Sequence, residues 1–66
     1  MRSNFVVFIK ELGLTQNEFG LIFNKSKQHI NNIAHNRSDG SIDLWLDIGI
    51  KFNLSAKQLK ELREVS

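Results

Sequence analysis

Apolar residues recur along the chain in short bursts with helical spacing, separated by small and polar residues. Phe5, Phe8, Ile9 and Leu12 follow an i, i+3, i+4, i+7 pattern, which places them on one face of a first helix. Gly13 comes next and suits a left-handed C-terminal cap. Thr15 opens a second helix, with Glu18 three residues on as in a capping box. The apolar positions of that helix are Phe19, Ile22 and Phe23, and Asn24 can take the left-handed conformation that ends it. Ser26 caps a third helix running to about His35, with Ile30 and Ile33 turned inward. The run Asn36-Arg37-Ser38-Asp39-Gly40 is dense in turn formers and reads as a loop. Ser41 caps a fourth helix through about Phe52, where Asn53 ends it, and Ser55, with Gln58 three later, caps a fifth through about Arg63 that presents Leu59 and Leu62. No segment carries the period-two alternation of a strand. The pattern predicts an all-α fold, a compact five-helix domain.

Length and composition narrow the function classes. With 66 residues the chain has room for one domain over 1–66, with no second domain to supply a small-molecule sensor or a cleavage switch. Such a chain buries only about 60% of the surface it exposes when unfolded, so the expected core is thin. There is no cysteine, hence no disulfide framework and no thiolate metal site, and the chain suits a cytoplasmic setting. The apolar run Phe5–Ile9 is stopped by Lys10 and Glu11, too soon for a signal peptide. No stretch approaches the roughly 20 apolar residues of a membrane span. An enzyme is not expected, because tyrosine is absent and His29 and His35, six apart, share no helical face. No nucleophile–base pair, metal cluster or cofactor site follows from such a set. Glu61 and Glu64 read as solvated charges on the last helix.

The charge totals are modest, nine basic residues against seven acidic, but their distribution is uneven. From Phe19 to Ser38 there is no acidic residue, while Lys25, Lys27 and Arg37 fall there with His29 and His35. Glu11 and Glu18 lie just before, and Asp39, Asp43 and Asp47 follow. One face of the fold is expected to be positive, as in a protein that meets phosphate.

The same stretch meets the requirements of a helix-turn-helix, in which two short helices and a tight turn hold the second helix clear of the body. Phe19, Phe23, Ile30 and Ile33 supply apolar residues where the helices meet. Gly20 supplies a minimal side chain at their closest approach, Asn24 a turn residue tolerant of positive φ, and Ser26 a cap. The run Leu14-Thr15-Gln16-Asn17-Glu18-Phe19-Gly20 resembles the second helix of the phage Cro and repressor family, the XRE-type helix-turn-helix proteins, and Ser26 to Ile33 resembles its recognition helix. Ile42, Trp45, Ile48, Gly49, Phe52, Leu54, Ser55 and Leu59 fall where that family places its fourth and fifth helices, so the resemblance runs from about Phe5 to Leu62. Asn24 stands where the family has a turn glycine, and Lys25 where an apolar residue is usual; the lysine stem can cover the core edge. The resemblance implies a lambda-repressor-like domain and a Cro-like transcriptional regulator, with double-stranded operator DNA as partner and no small-molecule ligand.

On a helical wheel of about 100° per residue, Ile30 and Ile33 define the buried side of the third helix. Gln28 and His35 lie nearly opposite, Asn31 and Asn32 flank them, and Lys27 sits toward one edge. Asparagine is a poor helix former, so two in succession need a reason. Amides bond adenine through N6 and N7, and Gln28, Asn31 and Asn32 are therefore the candidate base readers, with Lys27 able to reach guanine or phosphate. The plainer alternative makes both asparagines solvent-facing polar residues. Candidate backbone contacts are Gln16, at the start of the second helix, with Ser26, Lys25, His35, Asn36 and Arg37. Lys10 is a further, lesser candidate, and a solvated lysine is the plainer reading of Lys10 and Lys25. The resemblance implies that Gln16 bonds phosphate and braces Gln28.

The fourth helix has more apolar residues than one buried face uses. Ile42, Trp45, Ile48 and Phe52 form the stripe expected to face the core, leaving Leu44, Leu46 and Ile50. Exposed apolar clusters mark association surfaces. In the resembled family, dimers pack through the fourth and fifth helices, which implies a homodimer contact through Leu44, Leu46, Ile50, Leu62 and Val65. The alternative packs some of these beneath Met1, Phe5 and Val6. A second function class, a protein-binding module such as an antitoxin or adapter that keeps the fold, also fits the apolar surplus. RNA is the poorer fit to a protruding helix, because its major groove is deep and narrow.

Overall fold

Five α-helices and no strand make up the computed structural model, which describes residues Met1–Ser66: α1 (Ser3–Glu11), α2 (Gln16–Ile22), α3 (Lys27–Ala34), α4 (Ile42–Lys51) and α5 (Ala56–Arg63). No helix is long and apolar enough to cross a membrane. Every helix after the first starts on the expected cap. Thr15, Ser26, Ser41 and Ser55 have extended backbones, and each hydroxyl accepts a hydrogen bond from the amide three residues on. Glu18 and Gln58 return the bond to Thr15 and Ser55, completing two capping boxes.

The four helix ends before α5 share one construction. Gly13, Asn24, Asn36 and Asn53 adopt φ of 75°, 56°, 60° and 53°. The next amide then bonds back to the carbonyl five residues earlier: Leu14 to Ile9, Lys25 to Gly20, Arg37 to Asn32 and Leu54 to Gly49. These are Schellman closures, which satisfy carbonyls that the helix itself leaves open. In three of the four, the left-handed residue, one further residue and the serine or threonine cap of the following helix come in direct succession. Where the middle residue is Leu14 or Leu54 it packs onto the core, whereas Lys25 stays exposed.

The core joins α1 to all the other helices. Phe5, Ile9, Phe19, Ile30, Ile33, Ala34, Leu44, Trp45, Ile48 and Leu62 are buried together. All five phenylalanines and the single tryptophan form a connected aromatic set. Phe5 meets Phe19 and Trp45 edge-on at ring-centroid distances of 5.6 and 5.2 Å, and Phe19 stacks on Phe52 at 6.1 Å. These separations suit edge-to-face and offset arrangements, which add about 0.5–1.5 kcal/mol per pair beyond burial.

The expectations for four side chains are corrected. Leu44 and Leu62, expected at a dimer contact, are 2% and 7% exposed and belong to the core, whereas Ile42, expected inside, is 68% exposed. The inward face of α4 is Leu44, Trp45 and Ile48, and the Trp45 indole N–H donates to the Asp39 carbonyl at 2.8 Å. Ile22, assigned to the apolar face of α2, is largely outside it.

The least expected core member is Arg2, 4% exposed. Its guanidinium donates to the carbonyls of Ile33 (2.8 Å), Ser38 (3.0 Å) and Arg63 (3.1 Å), and to the Asp39 carboxylate at 3.2 Å. Its backbone amide donates to the Ala34 carbonyl at 2.7 Å. Asp39 is itself exposed, so that ion pair is mostly solvated and the carbonyls carry the interaction.

α2 and α3 cross at Gly20. A methyl group added there would lie 2.5 Å from the Lys25 backbone oxygen and 3.2 Å from Ile30 Cγ1.

Two stability predictions follow from these contacts. Arg2→Met keeps the stem but removes the bonds to three carbonyls, and we expect a loss of roughly 2–4 kcal/mol in urea unfolding. An unchanged denaturation midpoint would show that the guanidinium contributes nothing net. Gly20→Val puts a branched side chain against a backbone oxygen, and thermal melting should show a loss of several kcal/mol, on the order of a core overpacking defect or more. A melting temperature within a degree or two of the parent would refute the close crossing.

Candidate nucleic-acid interface

α3 presents its buried side, Ile30, Ile33 and Ala34, to the core and the remainder outward. Lys27, Gln28 and His35 are exposed, and His29, Asn31 and Asn32 are half-buried. The helix is anchored at both ends. The Ser26 hydroxyl accepts from the His29 amide at 3.0 Å at the start. At the finish all four terminal carbonyls are occupied: Asn31 by the His35 amide, Asn32 by those of Arg37 and Ser38, Ile33 by Asn36 and the Arg2 side chain, and Ala34 by the Arg2 amide.

The outward side chains are linked to one another. Gln28 Nε2 donates to Asn32 Oδ1 at 2.9 Å, one turn along the same face. Asn31 Nδ2 donates to Gln16 Oε1 at 3.1 Å, which ties the face to the first residue of α2. Arg37 folds back from the loop, and its NH1 donates to Asn31 Oδ1 at 3.0 Å and more distantly, at 3.4 Å, to Asn32 Oδ1. Gln16, Gln28, Asn31, Asn32 and Arg37 thus form one chain of amides and a guanidinium. The bond from Gln16 is to Asn31 rather than to Gln28.

No carboxylate lies on this face. The one ion pair of the molecule joins Arg2 to Asp39, so Lys25, Lys27 and Arg37 carry charge without an acidic partner. Lys25, Lys27 and Ser26 are exposed at the start of α3, and His35 and Asn36 at its end, where Asn36 is the left-handed residue of the closure. The sequence-predicted contact residues therefore lie on and around one helix. The remaining association candidates lie elsewhere: Leu46 and Ile50 are 52% and 79% exposed on α4, and Val65 is 53% exposed beyond α5.

Two features of this face escape the sequence reading. Arg2 anchors the far end of α3 from 31 residues away, and nothing in the local pattern marks it. Arg37, a candidate backbone contact, also lies against the amides, a contact that goes with the loop turning back at Asn36. No family model matches the chain, and no curated protein or solved structure matches it either.

Proposed function

We propose that this chain is a sequence-specific double-stranded DNA-binding transcriptional regulator, a Cro-like repressor whose α2 and α3 act as a helix-turn-helix. The observation that carries this reading is the outward face of α3 with its flanks, which has amides and Lys27 on the helix, Lys25 and Arg37 beside it, and no carboxylate. An amide or guanidinium can bond the base edges in a major groove, whereas a carboxylate would meet repulsion from every nearby phosphate. Gln28, Asn32 and Lys27 lie where base edges would be met. Gln16, Lys25, Ser26, His35 and Asn36 surround them and supply backbone contacts. The tie from Asn31 to Gln16 supports a positioning role for Asn31 beside its base-reading one.

A two-fold dimer completes the proposal. Ile42, Leu46 and Ile50 repeat at i, i+4, i+8 along α4 and are 68%, 52% and 79% exposed. The stripe is symmetric about Leu46. Two antiparallel copies therefore place Leu46 on the axis and Ile42 of one copy against Ile50 of the other. Asp43 and Lys51 flank the two ends of the stripe with opposite charge, and an antiparallel pairing brings each near its complement. Such a dimer would bind a palindromic operator with half-sites about 34 Å apart.

Two experiments test the reading. Selection of bound duplexes from a random pool should enrich a palindrome, and Lys25→Ala should weaken binding to all duplexes alike while lowering the salt slope by about 0.9. If no duplex is enriched, the DNA reading fails; the α4 stripe then favours a protein-binding module, with a toxin or other heterologous protein seated on it. Leu46→Glu leaves the core untouched and should convert a sedimenting dimer to a folded monomer, with operator affinity lower by at least about tenfold. A parent protein that sediments as a strict monomer at high concentration, and binds one copy per operator, would contradict the α4 pairing.

A further inference from the structure

We infer that Arg37 sets the base preference of the α3 face by occupying its hydrogen-bond acceptors, which makes guanine rather than adenine the base met by Asn32. The inference rests on α3 reading DNA. An arginine side chain only donates, so the atoms of Asn31 and Asn32 that face NH1 must be their oxygens. That fixes the direction of both amides. Asn32 Oδ1 accepts from Arg37 and from Gln28 Nε2, which uses both of its lone pairs. What Asn32 has left is its amino group. Gln16 is oriented in the same way: its oxygen accepts from Asn31, so its amino group is left to donate, as a phosphate contact requires. Arg37 keeps Nε and NH2, the edge of the guanidinium that forms paired bonds.

The remaining hydrogen-bonding capacity of the face is thus biased toward donors. Adenine presents an acceptor and a donor in the major groove, and an asparagine pairs with it only if its own oxygen is open. Guanine presents two acceptors, N7 and O6, which suit an amino group or a guanidinium edge. Gln28 retains its whole oxygen together with an N–H, and Asn31 retains one lone pair and one N–H, so adenine pairing falls to those two residues. The expectation that all three amides read adenine narrows to Gln28 and Asn31, with Asn32 left to donate. Arg37 is a specificity-determining residue: it acts on Asn32 by saturating its oxygen.

The test is selection from a random duplex pool with the parent protein, Asn32→Ala, Arg37→Met and Arg37→Lys, each first shown to melt cooperatively. In the parent motif, the position that Asn32→Ala randomises should be guanine. Arg37→Met keeps the stem but releases one lone pair on each asparagine oxygen, and should switch that position to adenine with roughly a tenfold swing in relative affinity. Arg37→Lys still donates and should keep guanine there. An adenine at the Asn32-dependent position of the parent motif would overturn the inference. So would an Arg37→Met motif unchanged at that position. Both outcomes leave the DNA reading standing. Enrichment of no motif by the parent would remove the DNA reading, and the inference with it.

Discussion

The arrangement of this protein depends on where one buried cation puts its hydrogen bonds. A guanidinium withdrawn from water is costly unless its donors are matched. Arg2 meets that condition with carbonyls that α3 and α5 could not satisfy themselves, the open C-terminal groups of each helix. Those ends carry the negative pole of the helix dipole, so the charge lies where it is most favourable. The same contacts seat Arg2 within 6.0 Å of the Trp45 ring, with Arg63 at 5.8 Å. α3, α5, the α3–α4 loop and α4 therefore converge on the residue that leads into α1.

What Arg2 fixes at the far end of α3, the aromatic set fixes beneath it. Phe19 contacts rings from α1, the end of α2 and the end of α4, so α2 is located against three segments at once. Gly20, the next residue, leaves room for the Lys25–Ser26 backbone that leads into α3 and for the Ile30 side chain. The α2–α3 unit is thereby set by packing on one flank and by a carbonyl-bound cation at its end. A thin core does not weaken this, because the rings that would be lost to solvent in a small domain are here spent on one junction.

The parts of the fold legible in the sequence are those governed by local chemistry. A hydroxyl at a cap and a glycine or asparagine just past a helix act on their own backbone within five residues. Thr15, Ser26, Ser41, Ser55, Gly13, Asn24 and Asn53 could therefore be assigned in advance. The face that α4 buries was not legible. That helix has apolar residues at Ile42, Leu44, Trp45, Leu46, Ile48 and Ile50, which point in nearly all directions, so periodicity selects no single stripe. The face that is buried, Leu44, Trp45 and Ile48, goes with a bond from the Trp45 indole to the Asp39 carbonyl in the loop before the helix. Arg2 was illegible for a different reason: its partners lie 31 to 61 residues away. The candidate site was intermediate. The residue types on α3 could be read, but the direction of each amide follows from the return of Arg37 at the left-handed Asn36.

The linkage of Gln16, Gln28, Asn31, Asn32 and Arg37 bears on how such a face would meet a ligand. Five flexible side chains on an open surface would each lose rotamer freedom on contact, at about 0.5–1.5 kcal/mol apiece. Mutual hydrogen bonds incur part of that loss before contact, so less remains when the surfaces join. The same bonds limit what the face can accept, because an oxygen already holding two donors has no lone pair to offer. Preorganisation and selectivity are then two consequences of one network. This also explains why asparagines are tolerated in succession in the middle of α3. Their weak helix propensity is offset because one is tied to α2 and both are tied to the loop, so the helix is held by its neighbours rather than by its own composition.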